Sequence, residues 1–519
     1  MDTKKTFYIT TPIYYTNNSP HVGHAYASTV ADILARYHRE IGNDTFFLTG
    51  TADHGDKIRR AAEAANMNPQ AFTDINSNKF KDLYEKLNIS YDDFIRNSDK
   101  EKHWPGAQAL WRAMERSEDI YWKAYEGLYC VGCEKFITEK DLVDGKCPDH
   151  DKVPEIVKEE NYFFKLSKYA EKVRALIEKD EIRILPASRK AELLAFIDSG
   201  LKDVSFSRPE NAILWGIPVP EDEHDQMMYV WCEELSNYIS ALGYGKKDHN
   251  LFDTYWPTDL HVVGKDILRF HAIVWPAMLL SAGLPLPKTI LAHGMIISGG
   301  KKMSKTIGNV IDPNEYIDLY GADAFRYYLA REISPFEDGD FSEEKFIETY
   351  NANLANGLGN LVSRVFKMAQ QYFDGEVTRK LSVDVPLQVH RETFTGGEDI
   401  EGYSIPYMVE NIIIPEYKEK MDTMNIQQAA DVVWKLIGIL DGYITHYEPF
   451  KLIKEDKEKT ENILWNLLFG IETVAKLIKP ILPETAEKIE EELKQNSKDL
   501  FEVGSLEMPL FARIDTNKK

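Results

Sequence analysis

The stretch from Phe7 to His24 constrains this chain more than any other. Phe7-Tyr8-Ile9-Thr10 is an apolar β-type run, a turn-rich segment with Asn17, Asn18 and Pro20 follows, and then comes His21-Val22-Gly23-His24. Strand, turn and helix start in that order describe the phosphate-handling corner of a doubly wound α/β sheet, where free backbone N–H groups and the helix dipole favour anions. The spacing predicts that His21 and His24 share a helical face, and Gly23 leaves room for a nucleotide to come close. Two surface histidines beside a loop would leave the same trace.

A second segment changes that weighting. Lys301-Lys302-Met303-Ser304-Lys305-Thr306 follows Gly299-Gly300 and precedes Gly308, so it reads as a short mobile cationic loop in a chain of net charge -22. Lysine ammonium groups on flexible stems suit a pyrophosphate group as it departs. The glycines from Gly294 to Gly300 lack the Gly-Lys-Ser/Thr ending of a P-loop, and no Gly-x-Gly-x-x-Gly fingerprint occurs, which argues against a dinucleotide enzyme. The two segments together imply an ATP-using enzyme that works by positioning and by stabilising charge on phosphorus.

Composition bounds the rest. A chain of 519 residues exceeds one core and suggests three or four domains. Its N-terminus leads into a strand without an apolar signal region, and no apolar run is long enough to span a bilayer, so a soluble cytoplasmic protein without membrane contact is expected. With 84 acidic against 62 basic residues, any nucleic-acid contact must be local, shaped and salt-sensitive. Three of the four cysteines fall in two knuckles, Cys130-x-x-Cys133 and Cys147-x-x-His150. Ligands spaced this way can close a tetrahedron around one structural Zn²⁺ per chain; buried thiols beside a chance histidine are the competing reading. Cys232 stands apart and is expected to be a packed core residue.

His21-Val22-Gly23-His24 and Lys302-Met303-Ser304-Lys305-Thr306 resemble the HIGH and KMSKS signatures of class I aminoacyl-tRNA synthetases. Further stretches narrow the resemblance to the methionyl-tRNA synthetase family: Thr11-Pro12-Ile13-Tyr14-Tyr15, Ser207-Arg208, Trp215-Gly216-Ile217-Pro218-Val219-Pro220, Gly264-Lys265-Asp266-Ile267 with Phe270-His271, Trp275-Pro276-Ala277, and Pro509-Leu510-Phe511. The resemblance covers essentially the whole chain. It implies a Rossmann-like α/β catalytic domain in two halves, 1–115 and 229–296, divided by a zinc-bearing connective insertion at 116–228. A segment at 297–350 with the lysine loop and stem contacts follows, and then an all-α anticodon-binding helix bundle at 351–519.

The implied reaction is two-step ligation of methionine to its initiator and elongator tRNAs, through a methionyl adenylate made from ATP with Mg²⁺. By the same resemblance His21, Gly23, His24, Gly264, Lys265, Asp266, Lys302, Ser304 and Lys305 handle ATP. His21, His24, Lys302 and Lys305 are the catalytic members. Ile13, Tyr15, Trp231, Tyr238, Ile267 and His271 match positions lining the methionine pocket, and a thioether suits aromatic and aliphatic walls. Asn360 and Arg364, four apart on one helical face, match anticodon-reading positions. Phe450 stands where the family commonly has tryptophan and could still stack on a base.

Two positions depart from the family pattern. A carboxylate is usual two residues before His54, where this chain has Ala52, and a small residue is usual three after Trp231, where this chain has Glu234. One expectation is that Glu234 or Asp53 now answers the substrate ammonium, because a buried unpaired ammonium is costly. The other is that Glu234 faces solvent and Asp53 serves alone. Another class I synthetase and a tRNA-independent class I nucleotidyltransferase remain alternative functions, although an insertion of this length cannot easily house an editing domain. The chain stops soon after Phe511, without the C-terminal dimerisation domain of some relatives, so a monomer is expected.

Overall fold

Thr6–Tyr15 forms the first strand of the molecule and is buried along nearly its whole length, as a strand must be when helices cover both faces of a parallel sheet. The computed structural model describes residues 4–132, 135–137, 139, 142–148, 151–211, 215–303, 309–381, 385–387 and 402–515; at Lys135, Phe136 and Lys302 it describes the backbone alone. The chain divides into two units, Met1–Met295 and Ile296–Lys519.

The first unit is built on six parallel strands, β1 (Thr6–Tyr15), β2 (Asp44–Ala52), β3 (Asp93–Arg96), β4 (Arg183–Leu185), β5 (Leu260–Gly264) and β6 (Thr289–His293), in the spatial order β3-β2-β1-β5-β6-β4. Strand order reverses between β1 and β5, and in a doubly wound sheet the crevice for ligands opens at the carboxyl ends of the strands beside that point. The β1–β2 register shifts between Thr10 and Ile13, where Pro12 has no N–H to give the ladder. Helix α1 (Val22–Glu40) leaves this corner and covers the sheet with a buried face that includes Ala25, Tyr26 and Ile33. Around it stand α2 (Asp56–Ala64), α3 (Pro69–Lys86) and α4 (Trp104–Arg116).

Within 116–228 lies a second, antiparallel sheet in which Ile120–Cys130 pairs with both Lys135–Ile137 and Glu155–Phe164, the latter also pairing with Val204–Ser205. The same stretch supplies β4, the three-residue edge strand of the main sheet. Cys232 is buried in the main core, as expected of it.

The second unit opens with a hairpin. Ile296–Ser298 pairs antiparallel with Lys301–Lys302, and Gly299 (φ 62°) and Gly300 (φ 68°) make the turn between them. A two-residue turn with both central φ values positive is the tight hairpin that glycine pairs favour, so these glycines set the entry to the lysine loop. Residues 304–308, including Ser304 and Lys305, lie outside the described residues.

From Tyr350 onward the unit is predominantly helical, with α5 (Asn360–Phe373), α6 (Ile426–Tyr447) and α7 (Lys457–Ile478) burying apolar faces against one another. The expected bundle also carries a three-stranded antiparallel sheet of Glu376–Thr378, Leu500–Val503 and Leu493–Ser497. These strands are short, and Lys494–Ser497 is polar, so hydrophobic periodicity gave no sign of them. Of the expected surface loop at 385–405, residues 388–401 lie outside the described residues.

Candidate active site

His21 is the cap of α1 rather than a member of it. Its Nδ1 accepts from the Gly23 N–H at 3.0 Å, and its own backbone N–H donates to Nδ1 of His24 at 3.1 Å. Two imidazoles thus perform the reciprocal capping normally made by Ser and Glu. An Nδ1 that accepts leaves the ring proton on Nε2, so both histidines carry an Nε2–H donor. A Cβ at Gly23 would lie 2.9 Å from His21 Cε1, so the cap itself requires glycine there. Burial, then the neighbouring His21 and Lys57, hold the His24 imidazole well below its ordinary pKa, and Tyr14 and Phe80 pack edge-on against it. The first turn of α1 has no acidic residue, which leaves its positive end available to an anion.

Across the switch point, Gly264 ends β5 and Lys265 opens the following turn, its N–H bonded to the carbonyl of His293 at 3.1 Å. Asp266 Oδ1 folds back to within 2.5 Å of the position a Gly264 Cβ would take. His293, at the end of β6, packs edge-on against Tyr26 of α1 and so ties the Lys265 turn to the histidine corner. Nothing in the residue pattern singles out His293, because one histidine at a strand end is ordinary.

The first unit also holds a buried aromatic cluster. Helix Val230–Leu235 brings Trp231, whose ring stacks on Phe270 at 3.9 Å and meets His271 edge-on at 6.4 Å. The Tyr238 hydroxyl lies 2.7 Å from His271 Nε2, and His271 Nδ1 lies 3.0 Å from the Ile267 carbonyl. That pattern places the ring proton on Nδ1, with Tyr238 donating to Nε2. Burial pushes His271 down to about 4, so its ring is uncharged at neutral pH. Ile13 is buried, and Tyr15 and Ile267 are half-buried. Trp231, Tyr238, Ile267 and His271 are thereby brought together.

Three acidic side chains surround the end of β2. Asp53 Oδ2 accepts from Arg96 Nε at 2.7 Å and Ser98 Oγ at 2.6 Å, while Oδ1 has no hydrogen-bond partner among the described residues; burial raises its pKa against the pull of Arg96. Glu233 accepts from His54, His103 and Asn97. Burial works against its charge, yet His54 and His103 keep its pKa below the ordinary value. Glu234 is only 4% exposed, and the Tyr15 hydroxyl donates to its Oε2 at 3.5 Å. The expectation that Glu234 faces solvent is therefore overturned, because the helix Val230–Leu235 is buried on every side. Lys57, which sequence reading passed over, stands with its Nζ 4.9 Å from the Tyr15 ring centre and 3.5 Å from the Gly132 carbonyl. It lies in the first turn of α2, just after β2, and its sequence neighbours gave no signal of its place over Tyr15.

The knuckles are described in part. Cys130 and Cys147 are buried thiols in one small apolar cluster with Ile137, so one cysteine of each knuckle reaches the same place, an arrangement that fits a thiolate-rich metal site. Cys133 and His150 lie outside the described residues, and among the described residues no three metal-ligating side chains converge. In the second unit, Asn360 and Arg364 lie on α5; Arg364 Nη1 pairs with Asp441 of α6 at 2.8 Å. Phe450 is 43% exposed just beyond α6, with Lys451 Nζ 5.9 Å from its ring centre. Among the described residues no helix is long and apolar enough to cross a membrane.

Comparison with known proteins covers most of the chain. The family described as class I tRNA synthetases (M) matches residues 7–153 and 149–366, and the anticodon binding domain of methionyl tRNA ligase matches 407–508. The methionine–tRNA ligase of Clostridium acetobutylicum is 44% identical over 497 residues, 95% of this chain and 74% of the relative. That of Thermotoga maritima is 40% identical, over 98% of this chain and 80% of the relative. Among solved structures, Mycobacterium tuberculosis methionyl-tRNA synthetase in complex with methionyl-adenylate superposes with a TM-score of 0.89 at 35% identity, covering 98% of this chain and 100% of that one.

Proposed function

Because the chain belongs to the methionyl-tRNA synthetases of class I, we propose specific roles for its residues in the reaction of that family. That reaction is the ATP-dependent ligation of methionine to tRNA in two steps. A methionine carboxylate oxygen attacks the α-phosphorus in line, the bond to pyrophosphate breaks, and a ribose hydroxyl of the tRNA terminus then takes the acyl group as AMP leaves. The first step needs little proton transfer, so positioning and charge stabilisation carry the rate.

In this reading His21 and His24 donate their Nε2–H groups to phosphate oxygens, close to the amino end of α1. Gly23 gives the nucleotide its approach, and Gly264, Lys265 and Asp266 face it from the other side of the switch point. Lys302, Ser304 and Lys305 neutralise the departing pyrophosphate, and Mg²⁺ accompanies the triphosphate. Ile13, Trp231, Tyr238, Ile267 and His271 hold the thioether side chain, with Tyr15 beside them and Asp53 or Glu234 answering the ammonium.

Cys130, Cys133, Cys147 and His150 would hold one Zn²⁺, which supplies a structural cross-link to the insertion. Asn360, Arg364 and Phe450 read the anticodon of the initiator and elongator methionine tRNAs, by edge contacts and stacking. The site of action is the cytoplasm, where the tRNA partner is used.

The observation that best supports this set of roles is the histidine cap of α1, which follows β1 at the switch point of the sheet. Incubation with radiolabelled methionine and ATP should leave protein-bound methionyl adenylate that pyrophosphate discharges. Failure of His21→Asn and His24→Asn to slow its formation would remove the proposed histidine roles.

A further inference from the structure

Tyr15 stands between two opposite charges. At its hydroxyl end Glu234 Oε2 lies 3.5 Å away, and over its ring face Lys57 Nζ lies 4.9 Å from the centre. Glu234 is buried and Lys57 half-buried, so neither charge is spread freely into water. A free amino acid is a zwitterion and needs an answer for each end when it leaves water.

Asp53 and Glu233 also stand near the end of β2, and each is held by several donors. Asp53 is bonded to Arg96, and Arg96 also holds Asp74 at 2.6 Å and Thr73 at 3.3 Å, which draws the Asp53 carboxylate toward α3. Glu233 carries three donors, from His54 after β2, Asn97 after β3 and His103 at the start of α4, that fasten the helix Val230–Leu235 to all three. Lys57 bonds to the Gly132 carbonyl in the first cysteine knuckle, and its charge is felt by His24 at the phosphate corner. It therefore lies within electrostatic reach of both Tyr15 and the place where phosphate is to be bound.

We propose that Glu234 and Lys57 are the two poles of a zwitterion clamp around Tyr15: Glu234 takes the α-ammonium of methionine, and Lys57 takes the α-carboxylate and turns it toward the His21–His24 corner. The clamp rests on the reading that methionine is the amino-acid substrate. It assigns the ammonium to the helix Val230–Leu235 and not to the end of β2, where Ala52 offers no charge. It also gives the first knuckle a reason to sit where it does, because the Gly132 carbonyl holds the Lys57 side chain over the ring.

Three probes separate the two poles: methionine, methioninol, which lacks the carboxylate, and 4-(methylthio)butanoate, which lacks the ammonium. Dissociation constants measured by calorimetry on the full chain should show Glu234→Gln weakening methionine and methioninol by about 10- to 100-fold, as for loss of a charged hydrogen bond, and leaving 4-(methylthio)butanoate within about twofold. Lys57→Met should weaken methionine and 4-(methylthio)butanoate to a similar degree and leave methioninol within about twofold. Equal weakening of all three probes would mean general damage to the pocket and would overturn the clamp. So would the ammonium pattern appearing in Asp53→Asn instead of Glu234→Gln. If the unmodified protein bound none of the three, the substrate reading itself would fall, a result distinct from either pole failing alone.

Discussion

The backbone N–H of His21 donates to Nδ1 of His24 at 3.1 Å, so the second histidine of the pair helps to cap the helix on which it sits. His21 returns the favour through Gly23, and each ring is left with its proton on Nε2. Asparagine can mimic the accepting Nδ1 but carries no group where Nε2–H would be. His21→Asn should therefore keep thermal stability and lower methionine-dependent ATP–pyrophosphate exchange by roughly 100-fold, the usual effect of losing one donor to developing charge. His21→Ala should add a loss of about 1 kcal/mol in stability from the missing cap. Gly23→Ala should displace the His21 ring, since the new Cβ would lie 2.9 Å from Cε1, and should resemble His21→Asn in exchange. Full exchange in His21→Asn would remove the donor role.

Gly299 and Gly300 hold the hairpin that leads into the lysine loop, with φ values of 62° and 68°. A β-branched residue in that conformation is strained by about 1–2 kcal/mol. Gly300→Val should slow pyrophosphate exchange while leaving the dissociation constant of methionine unchanged, whereas Gly299→Asn, which tolerates the left-handed region, should be nearly silent. Stopped-flow adenylate formation with separate methionine titration would distinguish these; equal behaviour of the two variants would contradict the hairpin's role.

Arg364 reaches from α5 to Asp441 on α6 at 2.8 Å, and the pair is partly exposed. Exposed pairs contribute only about 0–1 kcal/mol, so Arg364→Ala should barely change unfolding. It should raise KM for tRNA by about 10-fold or more and leave ATP–pyrophosphate exchange intact, as loss of one base-edge contact does. Phe450→Ala should act likewise through lost stacking, and Phe450→Trp should retain charging. Parallel loss in aminoacylation and exchange would count against an anticodon role for either residue.

Burial pushes His271 down to about 4 and also lowers His24, His261 and His293. An unfolded imidazole takes up its proton near pH 6.5, so as pH falls the unfolded state gains protons before the folded state does. The stability due to these groups is complete above about pH 6.5 and is lost as pH falls toward their folded values; for His271 alone this amounts to roughly 3 kcal/mol. Urea unfolding between pH 7.5 and 5 should show declining stability, and His271→Gln should flatten the decline by one proton's worth. Stability that rose on acidification would have the wrong sign.

Cys130 and Cys147 share one apolar cluster, and a zinc held there would link the insertion to itself. The purified protein should release about one Zn²⁺ per chain to a colorimetric chelator after thiol modification. Cys147→Ser should lose the metal and lower the thermal stability of the insertion without changing that of the helical unit. A full complement of zinc in Cys147→Ser would remove it from the ligand set.

What could be read from the sequence follows the strength of local patterns. The passage from Phe7 to His24 announced strand, turn and helix because a continuous apolar run, Pro20 and the glycine act within a few residues of one another. His21 as a cap was not legible, since an imidazole accepting at Nδ1 leaves no mark distinct from an imidazole on a helix face. β4 escaped because three residues with only Ile184 well buried carry no periodicity, and the Leu493–Val503 hairpin escaped for the same reason. Lys57 was invisible among other charges on an amphipathic helix, because its meaning comes from Tyr15 on the neighbouring strand. The burial of Glu234 could be stated only as one of two outcomes, because its direction depends on how Val230–Leu235 docks against β2.

The most direct measurement is ATP–pyrophosphate exchange run across all twenty amino acids with the unmodified protein. Methionine should support exchange with a kcat/KM at least about 100-fold above any other amino acid, and no tRNA should be needed. Exchange supported better by another amino acid, or none with methionine, would contradict the reading of this chain as an enzyme that activates methionine.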